Sequence, residues 1–114
     1  MSRRVTQAYN EVTESFMTIS VCLIVKNEEK VIERCLKSAA LFADEIIVTD
    51  TGSSDKTQEI VRKYTNKIYD FKWINDFSAA RNFSFSMAKC DMLFWLDADD
   101  VVLEEDAEKI NKLK

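Results

Sequence analysis

The chain contains no histidine and no proline, a single glycine and three cysteines. Without histidine, Ser–His and Cys–His nucleophilic catalysis and histidine-ligated zinc are excluded within these residues. Cys22, Cys35 and Cys90 show no CxxC spacing, so a dithiol or all-cysteine zinc motif is excluded as well. An odd cysteine count without a secretion signal is expected of a reducing compartment, with all three thiols serving as small core residues. No apolar run reaches membrane-spanning length, and Met1-Ser2-Arg3-Arg4 lacks the apolar segment of a signal peptide. A soluble, cytoplasmic protein is expected. The net charge is −4 with basic residues scattered, which excludes the positive stripe of a nucleic-acid binder.

What is present is enough apolar material, 46% of 114 residues, for one domain with a modest core. Residues 1–17 are polar with little periodicity and form an N-terminal extension. From residue 18 short apolar runs alternate with longer amphipathic ones, the pattern of βαβ units around a parallel sheet. Strands are expected over residues 19–25, 45–49 and about 67–71, with a further one running to Asp97. The first helix is expected to be capped by Asn27, with Glu28 and Glu29 in its first turn and Val31, Ile32, Cys35, Leu36, Ala39 and Ala40 on its apolar face. Asp55 and Gln58 match a capping box for the second helix, and residues 77–88 form a third. The domain is expected to span residues 18–103, with residues 104–114 as a C-terminal helical segment. The single glycine, Gly52, sits in a turn whose backbone other residues would strain.

The segment Met92-Leu93-Phe94-Trp95-Leu96-Asp97-Ala98-Asp99-Asp100 delivers acids at the end of an apolar run. Such a run reads as a strand buried on both faces, with the i, i+2 acids beyond it pointing the same way. Paired carboxylates of this kind suit Mg²⁺ or Mn²⁺ carrying a substrate diphosphate. The plainer alternative is a solvated loop before a helix, where acids favour the positive end of the dipole. Two other strands also end in polar, acid-bearing loops, Lys26-Asn27-Glu28 and Asp50-Thr51-Gly52-Ser53. In an open parallel sheet, ligands bind outside the carboxyl ends of the strands near the point where strand order reverses. All three loops belong to that edge.

With these segments in view, residues 20–102 resemble the inverting glycosyltransferases of the GT-A fold, family 2. The resemblance rests on four segments in order: Val25-Lys26-Asn27-Glu28, Ile47-Val48-Thr49-Asp50-Thr51-Gly52-Ser53-Ser54-Asp55, Ala80-Arg81-Asn82, and Phe94-Trp95-Leu96-Asp97-Ala98-Asp99-Asp100. It implies a Rossmann-like open parallel sheet with flanking helices, the N-terminal half of a GT-A fold. It further implies that Asp50 meets the nucleotide base, uracil, with help from the backbone near Val25 and from Glu28. Asp97 would contact ribose or metal, Asp99 would bind the cation (Mn²⁺ or Mg²⁺), and Arg81 would lie near the nucleotide or its phosphates. The implied partner is a UDP-sugar, with the acceptor undefined. The family's general base is an acid well past the DxD, so it is expected beyond Lys114, and the chain is expected to bind donor without completing transfer. A truncated domain would also expose apolar surface and favour self-association.

Each residue has a plainer role. Asp before glycine makes Asx-turns, Asp55 serves as a cap, and a first-turn Glu28 needs no ligand. Arg81 is an ordinary exposed arginine without the resemblance, while Trp73, Trp95 and the phenylalanines read as core. The acidic run from Glu104 to Glu108 reads as a solvated helix start. Two other classes compete. In a haloacid-dehalogenase-like phosphatase Asp97 would be the nucleophile and Asp99 the acid/base, but that motif belongs on a first strand and here three βα units precede it. A non-catalytic nucleotide-binding module is the other. A receiver domain lacks its acidic pair here, and an EF-hand lacks its glycine after Asp99.

Overall fold

The computed structural model describes residues 17–114, so all but the last residue of the expected N-terminal extension lies outside it. Eight elements alternate along the chain: β1 (Ile19–Val25), α1 (Ile32–Ala39), β2 (Glu45–Asp50), α2 (Thr57–Val61), β3 (Ile68–Asp70), α3 (Phe77–Ser86), β4 (Met92–Trp95) and α4 (Glu104–Leu113). The strands form one parallel sheet in the order β3-β2-β1-β4. The chain builds outward from β1 to β3, then returns across the sheet through α3 to place β4 on the other side of β1. That reversal next to β1 is where an open α/β sheet opens a crevice.

β1 and β2 read as near-continuous apolar runs because both their faces are covered. Ile19, Val21, Leu23 and Val25 join Ile32, Cys35, Leu36 and Ala39 of α1, Val61 of α2 and Ala107 of α4 in one buried cluster. α3 packs against β1 and β2 from the opposite face, placing buried Ala80 and Ser84 inward. Its rings reach both sides of the sheet: Phe83 meets Tyr69 and Phe71 beyond β2, while Phe77 and Phe85 meet Trp95 of β4 edge-on. Under α1, the fully buried Phe42 stands edge-to-face to Phe94 with ring centroids 5.0 Å apart. Truncating Phe42 to alanine would remove about 3–5 kcal/mol of stability.

Three local expectations are corrected. The strand before Asp97 is not buried on both faces: β4 is an edge strand, and Met92 and Leu93 are 45% and 46% exposed. Asn27 does not cap α1. It adopts φ 53°, and α1 starts five residues later, at Ile32, with no side-chain cap. Asp55 and Gln58 do not form a capping box. Asp55 accepts from the Thr57 N–H, while the Gln58 amide donates to Asp50 Oδ2 and Asp70 Oδ1, each at 3.0 Å. In both loops the side chains are recruited by a neighbouring strand's loop, a demand that local spacing does not encode.

The amino-end edge of the sheet is also acidic, but its acids are consumed internally. Glu45, 9% exposed, accepts from the Ser20 hydroxyl at 2.6 Å and the Lys89 N–H at 2.9 Å and pairs with the Lys67 ammonium. Burial alone would push its carboxyl up, yet Lys67, Ser20 and the Lys89 amide together hold it below the usual glutamate value. Asp91 accepts from the N–H and hydroxyl of Thr18, and Asp44 accepts from the Ile19 N–H.

Candidate functional site

At the carboxyl edge, the loops after β1 and β2 are bonded into one unit. The Asn27 N–H donates to Ser53 Oγ and Asn27 Oδ1 accepts from the Ser54 N–H, at 2.9 and 2.8 Å. The Glu28 N–H donates to Thr57 Oγ1 and the Lys56 N–H to Glu29 Oε1. Thr51 returns both its N–H and its hydroxyl to the Val25 carbonyl. Gly52 allows this path by taking φ +125°, a conformation L-residues rarely adopt.

Asp50 is the residue on which the second loop turns. It is 1% exposed, and its Oδ1 accepts from the N–H groups of Gly52 and Ser53, both at 2.7 Å. The Gln58 amide holds Oδ2. Val25, equally buried at 1%, offers its carbonyl to Thr51. Glu28, by contrast, is half-buried at the rim, and its carboxylate has no partner among the described residues.

Beside these loops lies a cleft of about 270 Å³ lined by Ile24, Val25, Lys26, Glu28, Thr51, Trp73 and Phe77. Trp73 comes from the connection between β3 and α3 and Phe77 opens α3; they are 41% and 46% exposed, so the expectation that both lie in the core is corrected. Asp76 caps α3 by accepting from the Ala79 N–H, which fixes the first turn at the cleft wall. One turn on, the Arg81 guanidinium lies over the rings of Phe77 and Trp95, 5.2 and 5.7 Å from their centroids. Such stacking holds a cation in a defined place without neutralising it.

β4 reaches the same edge on the far side of β1. Leu96 and Ala98 are turned inward, 7% and 5% exposed, while Asp97 and Asp99 between and after them are exposed. Asp100 closes the loop: its carboxylate accepts from the Asp97 N–H and its own N–H donates to the Asp97 carbonyl, both at 2.9 Å. From below, the Cys35 thiol approaches that carbonyl at 3.4 Å. Burial, reinforced by the charges of Asp100, Asp99 and Asp97, pushes this thiol up to about 12, so it remains a neutral donor. The loop therefore projects two carboxylates, Asp97 and Asp99, and keeps the third for itself. Among the described residues no cluster of three or more metal-ligating side chains converges. Two exposed oxygen donors still fit Mg²⁺ or Mn²⁺ bound jointly by one or two carboxylates and substrate phosphates, rather than a cation caged by protein alone.

Residues 20–113 match the model of the family described as Glycosyl transferase family 2. The chain belongs to that family. Among its relatives is the glycosyltransferase SunS of Bacillus phage SPbeta, 38% identical over 99 residues, which are 84% of this chain and 23% of SunS. TarS of S. aureus, solved in complex with UDP, superposes with a TM-score of 0.65 at 28% identity, covering 82% of this chain and 30% of TarS. Glucosyl-3-phosphoglycerate synthase of Mycobacterium tuberculosis, solved with Mn²⁺, UDP and glucosyl-3-phosphoglycerate, matches at 0.62 and 27% identity over 72% of this chain and 33% of that one. These similarities confirm the α/β class and the GT-A resemblance of the sheet. The chain spans less than a quarter of the length of the first curated relatives it matches.

Within this family 2 domain, Glu28, Asp50, Asp97 and Asp99 stand at the carboxyl ends of their strands, as strand order leads one to expect, with Val25 closing β1 and Arg81 on α3 against Trp95. Sequence reasoning missed Trp73 and Phe77, although the signal was available. Their loop follows β3 and so opens on the same edge as the other three. It carries no paired acids, and its aromatics match a core pattern. The phosphatase alternative loses its footing, because Asp97 follows an edge strand that is fourth in chain order. No helix among the described residues is long and apolar enough to cross a membrane.

Proposed function

We propose that this domain binds the nucleotide diphosphate portion of a sugar donor, UDP-sugar, for inverting transfer to an acceptor nucleophile by the longer protein of which such a domain forms part. The observation that carries the reading is the cleft beside β1, with the Arg81 cation and the exposed Asp97 and Asp99 carboxylates at the same edge of the sheet. The base occupies the cleft against Ile24, Val25 and Thr51, with the Glu28 carboxylate at the rim as an acceptor for base or ribose. Asp50 sets the floor by holding the Gly52 and Ser53 amides, and a lone pair of its carboxylate remains for a base N–H. Arg81 attracts the phosphates. Asp99, with Asp97 turning toward ribose or metal, holds the divalent cation (Mn²⁺ or Mg²⁺), which supplies Lewis-acid stabilisation of the diphosphate leaving group. The UDP complexes of TarS and of glucosyl-3-phosphoglycerate synthase support the choice of nucleotide, and the Mn²⁺ in the latter supports the cation.

Calorimetric titration of UDP, with and without Mn²⁺, tests this. Binding should require the cation and weaken at least about tenfold in Asp99→Ala, a loss of about 1.4 kcal/mol. Cation-independent binding of equal strength in wild type and Asp99→Ala would reject the assignment of Asp99. Absence of UDP binding to a folded chain would reject the donor reading itself.

A further inference from the structure

Trp73 is 41% exposed, in the six-residue connection between β3 and α3, where Ile74 is 57% exposed as well. Its indole nevertheless has a partner within the same loop. The Trp73 Nε1–H donates to Asn75 Oδ1 at 3.3 Å, and Asn75 sits at φ 62°, a left-handed conformation that asparagine tolerates better than most residues. The next residue, Asp76, caps the start of α3. Phe77, the other aromatic in the wall, already carries Arg81 over its ring and meets Trp95 edge-on. Trp73 differs, because among the described residues no ring or cation packs on its faces. The cleft thus has one aromatic surface that is oriented beforehand and uncommitted. Across from it lie Ile24 and Val25, with Lys26 and Glu28 at the mouth.

We propose that the Trp73 indole is the stacking surface for the nucleobase of the donor, with Asn75 as the positioning residue that holds it ready. The inference rests on the donor-binding reading and adds to it the residue that grips the base. A planar base has an aromatic face irrespective of its edge pattern, so stacking on Trp73 contributes affinity, while the Glu28 carboxylate discriminates among bases. Fixing the ring before binding reduces the ordering cost on association.

The experiment is a titration of UDP, and separately of inorganic pyrophosphate, into wild type, Trp73→Ala, Trp73→Phe and Asn75→Ala, all with Mg²⁺. Trp73→Ala should weaken UDP about 5- to 100-fold and leave pyrophosphate unchanged. Trp73→Phe should stay within about threefold of wild type, and Asn75→Ala should fall between the two. UDP should alter tryptophan emission more in wild type than in Trp73→Phe, where Trp95 beneath Arg81 is the remaining fluorophore. Equal loss of UDP and pyrophosphate affinity in a folded Trp73→Ala would overturn the proposal, because the effect would then be on the cleft as a whole. UDP binding of wild-type strength in Trp73→Ala would also overturn it, while leaving the donor-binding reading intact. If wild type binds pyrophosphate but gains nothing from the uridine moiety, the base subsite and this proposal fall together.

Discussion

Gly52 and Glu45 show how single residues secure the two ends of the sheet. At Gly52 a Cβ would meet nothing within 4 Å, yet φ is +125°, so any cost of substitution is conformational and not steric crowding. Gly52→Ala should destabilise the fold by about 1–2 kcal/mol, measured by urea unfolding. Its sequence signal was plain, a lone glycine in a polar turn. Glu45 was not legible in the same way, because a glutamate opening a strand gives no hint that Ser20, Lys67 and Lys89 converge on it. Its carboxyl is held below the ordinary value, so it binds protons more weakly folded than unfolded. The stability it contributes is present above the unfolded glutamate value of about 4.3 and is lost as pH falls through the lower folded value. Wild type should therefore lose more stability between about pH 5 and pH 3 than Glu45→Gln, measured by pH-dependent thermal unfolding. Equal slopes would contradict the assignment. Asp50 lies between these cases: its position was legible, while its three internal donors were visible only in the fold.

Element by element, apolar runs and helical spacing located the strands and helices of the described residues, because burial dictates period. Helix starts were less legible. Asn27 has the chemistry of a cap but is bonded across loops, and Gln58 turns to Asp50 and Asp70 instead of back to the helix start, so tertiary demand overrides local preference. β4 shows a related failure. Its apolar run implies two covered faces, but the described residues pair it only with β1, leaving Met92 and Leu93 exposed. Ile19, Met92, Leu93, Phe94, Ile110 and Leu113 line an apolar groove of about 180 Å³ beside that open edge. An open apolar edge strand promotes self-association. Leu93→Lys should reduce concentration-dependent association in sedimentation velocity at a folding cost of no more than about 1 kcal/mol. Unchanged association would place the sticky surface elsewhere.

At the scale of the whole molecule, the two edges of one sheet differ. Acids occur at both. At the amino edge Asp44, Glu45 and Asp91 are engaged by protein donors. At the carboxyl edge Glu28 stands half-buried at the rim of a cleft that also holds Trp73 and Phe77, and Asp97 and Asp99 beyond β4 are exposed. Sequence order alone assigned the acid-bearing loops to their edge, since every βα connection of a parallel sheet leaves from the same side. It could not distinguish satisfied acids from available ones. The most direct measurement is a ¹H–¹⁵N correlation titration with UDP and Mg²⁺, read residue by residue. The account predicts shifts in the amides of residues 24–28, 50–53 and 97–100 and in the Trp73 indole, with residues 44–45, 67 and 89–91 unmoved. Perturbations centred on the amino edge, or none at saturating UDP, would contradict it.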